Sequence, residues 1–172
     1  MYESTNAEPL FLDFETSSFD GHPIEVAIST PDGEIRSWLI RPAPGWTDWS
    51  PKAEALHGIS REMLAREGVP VREVARHINI ALADRVAYSD SPEFDGWWCR
   101  QLFEAAGEEM QFSIGHAGSV IPDVPRRNGR IEREARRRAG PAHRAARDVA
   151  FLVELFRLAT EAAARKKKGR KA

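Results

Sequence analysis

The 172-residue chain carries a single cysteine, Cys99. That excludes an internal disulfide and, with no Cys cluster, a thiolate zinc site. A reducing compartment, the cytoplasm, is the expected location. No run of about 18 apolar residues occurs, so neither a membrane-spanning helix nor a membrane partner is expected. The first residues, MYESTNAEPLF, lack the basic-then-apolar order of a secretory signal. Internal repeats are absent, and only the C-terminal RKKKGRK is of low complexity. What remains is ordinary for a globular protein, with 42% hydrophobic and 30% charged residues. The length fits one domain with a single sizeable core. One domain is expected over residues 1–164, followed by a basic, disordered tail over 165–172.

Net charge is also nearly lacking, at -1, but it is unevenly spread. Residues 1–125 hold 9 Lys and Arg against 21 Asp and Glu, whereas residues 126–172 hold 16 against 5. An acidic body that binds cations and a basic end that attracts phosphate would suit a nuclease. A solvated basic helix and tail explains the same asymmetry.

The chain opens with PLFLDFET (9–16), an alternating strand pattern. A second strand is expected over Ile24–Thr30 and, after the Pro31-Asp32-Gly33 turn, a third over Glu34–Ile40. These make an antiparallel meander. Short helices follow around Pro51–Leu56 and Ser60–Arg66, and a longer one over Val71–Ala83 with helically spaced Val74, Ile78 and Leu82. RVAYS (85–89) is a strand, and Ser91-Pro92 starts a helix that Gly107 ends. Met110–Ile114 reads as the last strand. Arg130–Ala139 reads as a basic helix, and after Gly140-Pro141 a final helix covers Ala142–Ala164. The expected fold class is α/β, with a mixed five-stranded sheet (the antiparallel meander plus two parallel strands) flanked by helices.

Asp13 and Glu15 leave the same face of an otherwise apolar strand. Two carboxylates there would repel each other and be costly to desolvate unless a cation neutralises them. Hard oxygen ligands suit Mg²⁺ or Mn²⁺. A strand with one wet edge is the plainer explanation for that pair alone. Asp95 falls in the first turn of a helix, where the helix dipole already favours a carboxylate. His143 and Asp148 would not share a face of an ideal helix. The break at Gly140-Pro141 frees His143 to lie before the helix and reach over a site that Asp148 helps to build, as a general base.

In this order the motifs resemble those of the DEDDh exonucleases, the DnaQ-like family of the ribonuclease H-like superfamily. LDFETSS supplies Asp13 and Glu15, YSDSPEFDGWW supplies Asp95, and HRAARD supplies His143 and Asp148 at the family's H-x-x-x-x-D spacing. ALHGIS (55–60) is similar to the family's segment between the first two motifs. The resemblance spans about residues 9–160. Two stretches depart from it. Ser17-Ser18-Phe19 stands where Thr-Gly is common, and Tyr88-Ser89-Asp90-Ser91 where the second motif opens with His-Asn.

The resemblance implies a ribonuclease H-like fold and a 3′→5′ exonuclease. It would release nucleoside 5′-monophosphates from the single-stranded 3′ end of DNA or RNA. Two divalent cations, Mg²⁺ or Mn²⁺, would be held by Asp13, Glu15, Asp95 and Asp148, with His143 as general base. Thr16, Phe19 and His57 would line the terminal nucleotide. Phe19 is equally a core residue by pattern, and His57 a structural histidine. Trp46 and Trp49, in a Pro-rich loop, are open to base stacking. Arg126, Arg127, Arg130, Arg133 and Arg136–Arg138 would track phosphates or coat a solvated helix. A homodimer or a polymerase-type partner is left open, and a non-catalytic nucleic-acid-binding domain of the same fold is the alternative.

Overall fold

The computed structural model describes residues 8–123 and 129–169. Arg126, Arg127 and the end of the basic tail lie outside them. The strands are β1 (Leu10–Thr16), β2 (Pro23–Ser29), β3 (Ile35–Arg41), β4 (Val69–Pro70), β5 (Val86–Ser89) and β6 (Ser113–His116). The helices are α1 (Pro51–His57), α2 (Arg61–Glu67), α3 (Val71–Leu82), α4 (Pro92–Ala106), α5 (Arg130–Ala139) and α6 (Ala145–Gly169), with a 3₁₀ turn at Ala117–Ser119. The sheet order is β4-β3-β2-β1-β5-β6. β1, β2 and β3 pair antiparallel, while β1–β5, β5–β6 and β3–β4 pair parallel. This is the mixed α/β architecture expected from the sequence, with six strands in place of five.

The added strand is β4, two residues long and closed by Pro70, whose missing N–H confines it to a sheet edge. The last strand forms later than expected, at Ser113, because α3 captures the backbone before it. Asn79 Nδ2 donates to the Glu109 carbonyl at 2.8 Å, and Gln111 N–H donates to Asn79 Oδ1 at 3.0 Å. Those groups are therefore spent before the ladder begins. Caps fix the short helices. Ser50 Oγ accepts from Ala53 N–H and Ser60 Oγ from Met63 N–H, and Gly58 ends α1 at φ 72°.

The alternation in β1 sorts its residues between two layers. Leu10, Leu12 and Phe14 face α3 and α4, packing with Val74, Ile78, Leu82, Cys99, Leu102 and Phe103. Phe11 faces the other way, onto Ala145, Val149 and Leu152 of α6. Burying each such valine or leucine contributes about 1.5–3 kcal/mol. That apolar seam holds α6 across the face from which Asp13 and Glu15 also project.

Candidate active site

Asp13 and Glu15 stand near the C-terminal end of β1, just before its register with β2 shifts at Glu15/Thr16. The Phe11 contact places the first turn of α6 over them and brings in Asp148. Oxygen atoms of Asp13, Glu15 and Asp148 all lie within 4.8 Å of one another. On the other flank, β5 ends at Ser89 and α4 begins at Pro92. That turn delivers Asp90 and Asp95, whose oxygens lie within 4.8 Å of one another and of Asp13. Asp13 thus belongs to two carboxylate triads, side by side.

Asp95 is 2% exposed. Its carboxylate accepts hydrogen bonds from the Ser89 hydroxyl and the Phe14 N–H. Asp148 is spanned by its neighbours. The His143 N–H donates to Oδ2 at 2.8 Å, and Arg136 of α5 lies 2.8 Å from Oδ1. The Arg136 guanidinium also stacks over Phe151, 4.1 Å from the ring centroid.

Burial and crowding of like charge raise the acids together. Asp13 is held well above the ordinary carboxylate range, first by burial and then by Asp95, Asp148, Glu15 and Asp90. Glu15 is pushed up to about 8, by burial and then by Asp148 and Glu25, against the opposing pull of Arg144. Burial takes Asp95 to about 7, with the Ser89 hydrogen bond opposing it. Arg136 and Arg144 offset only part of this negative charge, and hard oxygen donors grouped in this way fit divalent cations.

No protein-family model and no curated sequence matches the chain. Solved structures do. Escherichia coli exonuclease I in complex with a dA16 oligonucleotide superposes with a TM-score of 0.66 at 18% identity, over 91% of this chain and 41% of that one. The fold is that of exonuclease I. Its product-bound form gives 0.64 at 17% identity over 91% and 44%, and its zinc-bound complex with single-stranded DNA gives 0.63 at 19% over 88% and 40%. The chain thus spans about two fifths of the length of exonuclease I. The mixed α/β fold expected from the sequence is thus met in a solved structure, that of exonuclease I. In this exonuclease I fold both triads gather beyond the C-terminal ends of the parallel strands β1 and β5, where sheets of this kind place ligands.

The other expected residues are placed unequally. His143 sits before α6 with φ 66°, a left-handed conformation uncommon outside glycine, and is exposed. Its contact with the carboxylates is made by its backbone, while its imidazole belongs to neither triad. Phe19 is 71% exposed, which rules out the core role, and its ring meets Phe94 edge-on at 5.4 Å. Phe94 stacks in turn on Trp98 and directly precedes Asp95. His57 is buried beside the Thr16 backbone. Its Nδ1 accepts from Ile59 N–H at 3.0 Å and burial lowers its pKa, so it is a neutral histidine.

Two residues escaped the motif reading. Asp90 lies at one of the departures from the family pattern, and only its position at a strand end marked it. Glu25 faces Glu15 across β1 and β2 and is 2% exposed. Arg144 grips it with two bonds, of 2.7 and 3.0 Å, and Ala145 N–H donates a third at 3.0 Å. A lone carboxylate inside the apolar run IEVAIS was the signal for such a partner.

Proposed function

We propose that the chain is a divalent-cation-dependent 3′→5′ exonuclease acting on single-stranded nucleic acid. The observation that carries this reading is the pair of carboxylate triads sharing Asp13 at the strand ends of an exonuclease I fold. Asp13, Glu15 and Asp148 would hold one cation, and Asp13, Asp90 and Asp95 the other. Cations bound there would neutralise charge on the attacking and leaving oxygens of the phosphodiester. The exposed His143, on its left-handed hinge before α6, would take the proton from the attacking water. Phe19 and Phe94 form an exposed aromatic edge against which the terminal base would stack. By the family resemblance Thr16 and His57 would also line the terminal nucleotide, His57 from its buried position. A non-catalytic relative would be expected to have lost a carboxylate, and all four family positions are filled.

The reading is tested by a time course on 3′-labelled and 5′-labelled single-stranded DNA and RNA with Mg²⁺, Mn²⁺ or chelator. Stepwise shortening from the 3′ end, cation-dependent and absent with a circular substrate, is expected. Cleavage of the circle would overturn it in favour of an endonuclease, and no cleavage with either cation would favour a binding domain.

A further inference from the structure

A second cleft lies between His22, just before β2, and the loop that joins β3 to α1. It encloses about 510 Å³ among His22, Arg41, Trp46, Asp48, Trp49 and Arg61. That volume is within the usual range for small-ligand sites. Its walls are built rather than incidental. Asp48 accepts hydrogen bonds from the hydroxyls of Ser17 and Ser18, at 3.1 and 2.5 Å. Gly21 leaves no room for a Cβ, which would stand 2.2 Å from Ser17 Oγ and 2.6 Å from Asp48 Oδ2. Trp46 stacks on His22 with ring centroids 5.0 Å apart. Arg61 is fixed over Trp49 at 5.1 Å and donates to the Thr47 carbonyl at 2.6 Å. His22 is only 4% exposed, its Nδ1 lies 3.2 Å from Ser17 Oγ, and its Nε2 is buried without a hydrogen-bond partner among the described residues. A buried polar atom left unpaired beside a cleft calls for a ligand or a water.

We propose that this cleft binds a nucleotide of the substrate strand at least two positions to the 5′ side of the terminal one, beyond the reach of a dinucleotide. The inference rests on the nuclease reading above and adds a subsite to it. Two indoles offer stacking surface for a base of any identity. Arg41 and Arg61 outnumber Asp48, whose charge is turned onto the two serine hydroxyls, so the cleft favours a phosphate-bearing aromatic ligand. Ser17, which bonds Asp48 and contacts His22 behind the cleft wall, lies two residues beyond Glu15. The proposal has a strand whose end meets the carboxylates run on toward it. This gives the Trp-rich loop between β3 and α1 a role that the acidic site does not.

The test is binding of labelled thymidine oligonucleotides to the full chain in chelator, using a seven-nucleotide strand, a dinucleotide and free thymidine monophosphate. Trp46→Ala and, as a surface change that spares the core packing of Trp46, Arg61→Gln are compared with wild type after a circular-dichroism check of folding. Both variants are expected to raise the Kd of the seven-nucleotide strand about tenfold while changing that of the dinucleotide less than about twofold. Unchanged Kd for the longer strand in folded Arg61→Gln, or equal losses for both lengths, would overturn the proposal. So would a monophosphate that binds wild type in competition with neither oligonucleotide yet is lost in both variants, since the cleft would then hold a free nucleotide. If wild type binds the longer strand in chelator and shortens it once Mg²⁺ or Mn²⁺ is supplied, while the variants match its Kd, only the cleft assignment falls. If wild type neither binds it in chelator nor shortens it with either cation, the nuclease reading falls with it.

Discussion

Asp13 is the residue on which both triads turn, and its neighbours set how the site responds to protons. Glu15, at about 8, and Asp95, at about 7, bind protons in the folded state well above the pH at which an unfolded carboxylate releases them. Between those limits the folded chain holds more protons than the unfolded one, so its stability falls as pH rises. Above the histidine range, where the lowered pKa of buried His22 and His57 no longer opposes the trend, metal-free protein should therefore melt at lower temperature as pH rises toward 8, and Glu15→Gln should flatten that slope. Added Mn²⁺ should raise the melting temperature more at pH 8 than at pH 5, because at the lower pH it must displace protons. A melting curve that rises with pH above the histidine range in the absence of metal would contradict the electrostatics of the site. His143 makes a different prediction, since its imidazole lies outside both triads. His143→Ala should lower kcat by about 10²–10⁴-fold, the usual worth of a general base, with Mn²⁺ affinity nearly unchanged in titration calorimetry. The Asp13 and Glu15 pair was legible because period-two alternation on an apolar strand leaves few ways to place two carboxylates. Asp90 was not, since its contribution depends on how the β5–α4 turn folds back over β1, which no local pattern states.

At the scale of elements, α6 carries Asp148 but is anchored by Arg144, just before its first turn. Arg144 and the Ala145 N–H together satisfy Glu25, which is otherwise buried next to Glu15. Arg144→Ala should cost about 3 kcal/mol, near the low end for breaking a buried pair because Arg144 keeps 38% side-chain exposure. Glu25→Gln should recover part of that loss in the double variant, measured by chemical denaturation. Helix α5 acts in the opposite sense. Its Arg136 stands against Asp148, where a cation would otherwise draw the same carboxylate. Arg136→Ala should therefore tighten Mn²⁺ binding severalfold, and weaker binding would show that α5 instead supports the site. The helices themselves were readable from their caps and apolar spacing. The start of β6 was not, because the Asn79 side chain decides it from 30 residues away. Helix α6 starts later and extends further than its apolar face alone suggested, to Gly169, and Lys and Arg in its last turns suit the negative end of a helix dipole.

For the molecule as a whole, the uneven charge of the sequence becomes a spatial arrangement. The acidic residues that matter converge at the ends of β1 and β5, and α5 packs on α6 with Arg136 against Asp148 and Arg138 against Glu154. The order of the strands was legible because a meander followed by strand–helix alternation admits few sheets, whereas the reach of α5 onto the site depended on tertiary packing. Arg137 and Arg138 are largely exposed and bridged to Glu134, which they hold at about 2, so that carboxylate stays charged and offsets part of the basic face. If this face meets the strand leaving the carboxylates, its arginines displace counterions from phosphate, each contact adding about 0.7 to the slope of log K against log salt for a single strand. Replacing Arg137 and Arg138 together with Gln should then reduce the slope by about 1.4 while leaving kcat on a saturating short substrate close to wild type. Equal slopes for the two proteins would mean that α5 does not lie along the path of the strand and that the basic end serves only as a solvated surface.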